Sequence, residues 1–312
     1  MLSDWVLKAF HLVPARSREK IKDLIGGAGH VRSVIDPWRA RRLARTWRKP
    51  DAIVRDAAAI LDTLGKQSLQ GHRVMDFGSG LLLADAFVYA MFGAAEVHAV
   101  DYEPLLQATT FRQYAAQHDW QRFSSFLADR IGRKSAEDWF GRREEALNDP
   151  SGDWFAKLGI RYIAPFDVLT EPPPAKSYDL IASRSTLEHI PAHLAAAMLD
   201  RLAQLVAPGG AMYHYIHLAD HRDIVGDPYG FLAEHDDYAP SQHDVRGNLL
   251  RASDWRAIFA KLNFAWSEAA HADDATLFPK KLAPRFRAYD RADLLVNHYI
   301  VYGYRQEPGR AG

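Results

Sequence analysis

From Gly71 onward, short apolar runs alternate with longer helical windows, and this alternation limits the possible folds of the 312-residue chain more than any other feature. A strand, a helix and a second strand close as a crossover onto one sheet, so a chain of such units predicts an α/β protein with a mostly parallel sheet. The predicted strands are HRVMDF, EVHAVD, GIRYIAP, YDLIAS and AMYHYIHL, followed by FAWSEA and HYIVYGY. Seven strands suit one open, doubly wound sheet. Helices are predicted in LLADAFVYAMF, stopped by Gly93, in PAHLAAAMLDRLAQLV, opened by Pro191 and ended by Pro208-Gly209-Gly210, and in DWRAIFAKL, capped by Ser253.

Residues 1–70 read as an N-terminal helical extension, in which WVLKAF breaks at Pro14, Ser17 is an expected N-cap, and DAIVRDAAAILDTL leads into the sheet domain, residues 71–312. Two connections within that domain exceed the usual few residues. They span about 105–158 and 220–252 and read as insertions on the ligand side. The 39 Lys+Arg balance 39 Asp+Glu, which argues against nucleic acid as a partner, and the absence of cysteine excludes disulfides and thiolate chemistry. No run approaches a membrane span, and Asp4, Lys8 and His11 interrupt the segment where a signal peptide needs an apolar block, so a cytoplasmic location is expected. The N-terminal WVLKAF and IKDLI segments, with Arg16, Arg18, Lys20 and Lys22, leave three roles open: a helical cap, a homodimer contact, or peripheral membrane contact.

The densest signal is VMDFGSGLLL, where an apolar strand delivers Asp76, Gly78 and Gly80 directly before a helix. Glycines permit a sharp turn and close backbone approach, and a helix N-terminus presents unpaired N–H groups. A tight turn without a ligand has the same local pattern. The next strand ends in Asp101, 25 residues after Asp76, where a carboxylate suits ribose hydroxyls, and a third is followed by Phe166-Asp167-Val168.

This series of signals resembles the class I S-adenosylmethionine-dependent methyltransferases, over about Gly71 to Gly210 and more faintly to Tyr304. The resemblance implies a Rossmann-like fold and S-adenosylmethionine as cofactor. It places Asp76, Gly78 and Gly80 along the amino-acid and ribose portion, Asp101 with neighbouring Tyr102 at the ribose, and Asp167 at the adenine with Phe166 and Val168 beside the ring. Arg184, at the end of the fourth strand, joins this cofactor set. Tyr178-Asp179-Leu180-Ile181, Leu187-Glu188-His189 and Pro208-Gly209-Gly210 match further motifs of the family. Leu82 stands where some members carry a third glycine, and Leu83 departs from the G-x-G-x-x-G of nicotinamide sites. Asp76 would also repel a pyrophosphate. An NAD(P)-dependent oxidoreductase and a catalytically silent cofactor-binding protein are the alternatives.

Methyl transfer requires an oriented nucleophile, and a hydroxyl acceptor also needs a base. Residues following the fourth and fifth strands are placed for this work. His217 and His221 are the expected bases, with Asp220 and Glu188 as orienters; His189 is also a shaper of the cofactor pocket in the family, and His214 alternates with tyrosines as a packing residue would. Asp220 with His217 and His221 could ligate a divalent metal, but no second carboxylate stands at convincing spacing, so no metal is assigned. YHYIHLADH and NLLRASDW resemble a bacterial subgroup associated with glycan and cell-surface biosynthesis, which implies a sugar or small-molecule acceptor. Arg130, Arg133, Trp139, Arg142, Arg143 and Trp154 in the first insertion read either as sugar-gripping groups or as a packed, solvated helix face.

Overall fold

Each apolar run after Gly71 becomes a strand of one sheet in the computed structural model, which describes residues 37, 39–45, 48–149, 153–234 and 247–306. The strands are β1 Arg73–Phe77, β2 Glu96–Val100, β3 Ile160–Ile163, β4 Tyr178–Arg184, β5 Val206–His217, β6 Phe264–Ala272 and β7 Val296–Arg305. They lie in the order β3-β2-β1-β4-β5-β7-β6. Pairing is parallel from β3 to β5, and β7 inserts antiparallel between β5 and β6. The chain winds outward from β1 to β3 and then crosses back to β4. The carboxyl ends of β1 and β4 therefore flank the switch point at which doubly wound sheets take ligands.

Burial explains the two kinds of strand. β1 and β2 are buried at every position after the first, because helices cover both faces of a parallel sheet, and they read as nearly continuous apolar runs. β7 alternates buried and half-buried residues through most of its length, the pattern of a strand packed on one face. Pro208-Gly209-Gly210 does not form a turn ahead of β5. The register with β4 jumps from Tyr178↔Val206 to Leu180↔Ala211, so these residues bulge within the strand.

The helices are α1 Pro50–Thr63, α2 Ala84–Met91, α3 Ala108–Gln117, α4 Ser124–Ile131, α5 Arg133–Asn148, α6 Ala192–Leu205, α7 Ala252–Phe259 and α8 Arg291–Leu294. Every residue of α2 except Asp85 is buried. Its Phe87 meets Phe111 and Trp139 edge-on and lies 4.8 Å from the Trp120 ring, so the first insertion forms a helical layer over α2. Trp139 and Trp154 are buried there, Arg130 pairs with Asp62, and Arg143 donates to the carbonyl of Ala115. These four side chains pack the insertion and are not turned outward to grip a sugar.

Helix α1 is part of the same core. Ile53, Val54, Ala57, Ile60 and Leu61 share one apolar cluster with Val74, Val97 and Phe87. Tyr304 at the end of β7 donates to the carbonyl of Leu64. The WVLKAF and IKDLI segments, Ser17 and the four basic residues beside them lie outside the described residues, as does the membrane or dimer role considered for them. No helix among the described residues is long and apolar enough to cross a membrane.

One capping expectation is corrected. α7 starts at Ala252, and Ser253 lies in its first turn, donating its N–H and hydroxyl to Asp293 at 2.8 and 2.6 Å. The cap is made at Arg251, whose N–H is accepted by Asp254 at 2.8 Å. A full carboxylate charge three residues into the helix is the stronger acceptor for that amide.

Candidate active site

Beyond β1 the chain turns through Gly78-Ser79-Gly80 beneath the end of β2. The Gly78 and Ser79 amides donate to the carbonyl of Val100 at 2.9 and 3.1 Å, and the Gly80 amide donates to Asp101 Oδ2 at 2.8 Å. Both glycines have positive φ, 78° and 67°, a region that L side chains rarely enter. Their surroundings differ. A Cβ at Gly78 would fall 2.3 Å from the Thr186 side chain, whereas one at Gly80 would meet nothing within 4 Å.

That open space beside Gly80, edged by half-buried Asp101, forms a cradle. Asp101 Oδ1 also accepts the Glu103 amide at 3.3 Å. An ionised carboxylate has about four acceptor sites, and with the Tyr102 amide also acting on this one, acceptor capacity remains for a ribose hydroxyl. The Ser79 hydroxyl is buried and has no hydrogen-bond partner among the described residues. Unused acceptor capacity, an unmatched hydroxyl and space for close approach fit the ribose of an adenosyl ligand. Tyr102 stands at the mouth, 61% exposed.

The other residues expected around a cofactor have more structural roles. Asp76 is buried beneath the cradle. Burial and the neighbouring Asp85 push its carboxyl well above the usual range, against the pull of Arg48. Arg48 itself pairs with Asp85 at 2.7 Å. Phe166 and Val168 are buried in the cluster that includes Met75 and Phe77. Asp167 accepts the Leu169 amide at 2.9 Å and the Thr170 hydroxyl at 3.0 Å, which caps its own turn. Arg184 pairs with Asp56 of α1 at 2.7 Å and lies over the Tyr215 ring, so α1 is joined to the end of β4.

A second group of side chains gathers at the ends of β4 and β5. After Ser185, held at φ 50°, the short helical turn Leu187–His189 carries Glu188 inward. Its carboxylate is buried, and neither oxygen makes a hydrogen bond of good geometry among the described residues, although the Ser185 side chain and the Glu188 and His217 amides lie close enough to pull its pKa down. Burial pushes this carboxyl up to about 8. His217, the last residue of β5, places Nδ1 2.9 Å from His221 Nε2, which is 3.9 Å from Glu188 Oε1. The His189 ring stacks on that of His221 at 5.0 Å.

On its other side His217 faces His298, its register partner on β7, with ring centres 4.9 Å apart. His298 Nδ1 is 2.6 Å from the Tyr215 hydroxyl, and its Nε2 is 3.2 Å from Asp273 Oδ1. Burial, reinforced by His298, pushes His217 down to about 4, which keeps its imidazole neutral at neutral pH. A neutral imidazole retains a lone pair that can accept a proton.

Of the four residues expected to act on the acceptor, Glu188, His217 and His221 come together and Asp220 does not. Asp220 Oδ1 accepts both the Arg222 amide and Nε–H, at 3.0 and 2.8 Å, while Arg222 also reaches Glu234 at 2.7 Å. The forked guanidinium two residues away satisfies that carboxylate more fully than an imidazole could. His214 is a packing residue: it is fully buried, sits 2.8 Å from the Ser183 hydroxyl, and is pushed down to about 3 by burial. His298 and Asp273 escape sequence reasoning because only the antiparallel pairing of β5 with β7 and of β7 with β6 brings them to His217.

A family model described as a methyltransferase domain matches residues 44–268. A search of curated proteins finds no match. Among solved structures, the chain is similar to the YcgJ protein of Bacillus subtilis, at 14% identity over 81% of this chain and 99% of that one, with a TM-score of 0.43. It is also similar to magnesium protoporphyrin IX methyltransferase of Synechocystis PCC 6803, at 14% identity over 93% and 100% of the two chains, with a TM-score of 0.46. An O-methyltransferase family protein of Burkholderia thailandensis is 13% identical over 92% of this chain and 63% of that one, with a TM-score of 0.43.

Proposed function

The chain belongs to the methyltransferase-domain family as a class I S-adenosylmethionine-dependent methyltransferase, and from that premise we propose that it methylates an oxygen of a small-molecule or sugar acceptor. When bound, S-adenosylmethionine supplies an activated sulfonium methyl group and departs as S-adenosylhomocysteine. In this reading Asp101 receives a ribose hydroxyl on its unused acceptor capacity, Gly78 and Gly80 allow the backbone to approach, and Tyr102 closes the outer edge. Phe166 and Val168 supply the apolar floor near the adenine, with Asp167 at its rim. Asp76 and Arg184 act from behind, through the charged group that includes Asp85, Arg48 and Asp56.

The observation that carries the oxygen assignment is the histidine pair at the end of β5. A hydroxyl must lose its proton as the methyl group arrives, and His217, held neutral and 2.9 Å from His221, has the lone pair to take it. Glu188 lies beside this pair, with Oε1 3.9 Å from His221 Nε2. The near-neutral charge of the chain and its YHYIHLADH and NLLRASDW segments support a small or sugar acceptor over a polyanion.

The test is incubation of the purified protein with S-adenosylmethionine labelled at the methyl carbon and a panel of glycans, hydroxylated small molecules and amines. The label is expected on oxygen, with S-adenosylhomocysteine released. Label found only on nitrogen or carbon would overturn the oxygen assignment. His217→Gln is expected to lower kcat by about 100- to 10,000-fold, the usual worth of a general base, while calorimetry shows undiminished cofactor affinity. Asp101→Ala is expected to weaken S-adenosylmethionine binding by about 10-fold or more, the loss of a charged hydrogen-bond acceptor. Unchanged affinity would remove Asp101 from the ribose.

A further inference from the structure

We propose that Glu188, His189 and His221 form a binding site for one first-row divalent transition-metal ion. One ligand atom from each of the three residues lies within 4.8 Å of the other two. Ligands bound at about 2.0–2.2 Å stand roughly 3–3.5 Å apart, so the trio is slightly open. His189 is the exposed member of the three.

The second observation is the carboxylate itself. Glu188 is 2% exposed, and neither of its oxygens makes a hydrogen bond of good geometry among the described residues, with the Ser185 side chain and the Glu188 and His217 amides close by. The terminal nitrogens of the neighbouring Arg251 and Asn248 side chains are turned to backbone carbonyls. Arg251 donates to the carbonyls of Leu218, Leu294 and Val296, and the Asn248 side-chain amide donates to those of Leu187 and Ile190. Burial disfavours the ionised form of this carboxyl, and a divalent ion shared with two imidazoles would supply the opposite charge that favours it. His217 Nδ1 lies 2.9 Å from His221 Nε2 and supplies the outer hydrogen bond that commonly orients a metal-bound imidazole when His221 coordinates through its other nitrogen, Nδ1.

Two imidazoles and one carboxylate select zinc, iron(II), cobalt(II) or manganese(II) over calcium and magnesium, which prefer all-oxygen shells. Three protein ligands leave at least one coordination position open. The carboxylate missing from the His217–Asp220–His221 spacing thus comes from another part of the chain, the turn after β4. The site does not depend on the identity of the acceptor or on methyl transfer, so binding tests it directly.

The experiment is titration of the full-length, chelator-stripped protein with Co2+, followed by visible d–d absorption and calorimetry, with Zn2+ as competitor. One ion per chain is expected. Glu188→Gln and His189→Ala are each expected to weaken binding by more than the roughly 10- to 100-fold that loss of an outer partner costs, and His217→Gln by about that amount, with unchanged circular dichroism. Absence of a d–d band and of binding heat in the unaltered protein would overturn the proposal, as would binding that survives both ligand substitutions. If Glu188→Gln unfolds the protein, exposed His189 decides the question through His189→Ala alone.

Discussion

At the scale of single residues, Gly78 and Gly80 separate two reasons for using glycine. Both need positive φ, so alanine at either costs about 1–2 kcal/mol in backbone strain. Gly78→Ala also drives a methyl group into Thr186, whereas the methyl group of Gly80→Ala enters open space where the cofactor is expected. Urea unfolding should therefore show the larger stability loss for Gly78→Ala, and calorimetry the more specific loss of cofactor affinity for Gly80→Ala. Glu96 illustrates a charge with a structural use. Burial alone would raise its carboxyl, but hydrogen bonds from Arg73 and His98, each at 2.8 Å, and from Arg161 hold it at about 2. A carboxyl depressed in the folded state contributes stability above its ordinary value near 4.5, and that contribution is lost as the pH falls toward 2. The unfolding midpoints of the native protein and Glu96→Gln should differ at pH 7 and converge as the pH approaches 2. Arg73 and Glu96 open their strands, at the end of the sheet opposite the crevice, so the substitution should leave the pH profile of kcat unchanged. The glycines could be read from D-x-G-x-G because backbone geometry is local, but the Glu96 cluster could not, because Arg161 arrives from another strand.

At the scale of elements, strands were the most legible part of the chain. The nearly continuous apolar runs of β1 and β2 and the alternation in β7 report directly how many faces each strand buries. Helix starts were less legible: Ser253 has the chemistry of a cap, yet Asp254 and Asp293 compete for the amides and hydroxyl around it. Arg251, just ahead of α7, connects three elements. Its fully buried guanidinium donates to the carbonyls of Leu218 after β5, Leu294 in α8 and Val296 in β7. Arg251→Ala leaves those carbonyls without donors and opens a cavity, and should cost about 3 kcal/mol or more in chemical denaturation. A loss below about 1 kcal/mol would show that water replaces the guanidinium at little cost. The first insertion shows the limit of composition as a guide. Arginine and tryptophan can grip a sugar or cover a helix, and only their contacts establish the second use for Trp139, Trp154, Arg130 and Arg143, whereas Arg133 and Arg142 are exposed.

At the scale of the whole molecule, α1 belongs with the sheet rather than beside it. Its apolar face lies in the cluster containing α2 and the central strands, and its acidic face reaches Arg122, Arg130 and Arg184 through Asp51, Asp62 and Asp56. Deleting residues 50–64 should therefore abolish cooperative unfolding of the remainder, observed as loss of a sharp thermal transition, whereas a removable appendage would leave that transition intact. The sequence by itself determined the seven strands, the doubly wound class, the glycine turn and the carboxylate at the end of β2. These depend on local periodicity, φ preference and the order of motifs along the chain. Only the tertiary structure decided which titratable groups meet. It paired Asp220 with Arg222, brought Glu188 to His221, set His298 against His217 and turned His214 into the sheet. Those outcomes depend on strand order, register and burial, through which residues far apart in sequence come within hydrogen-bonding distance.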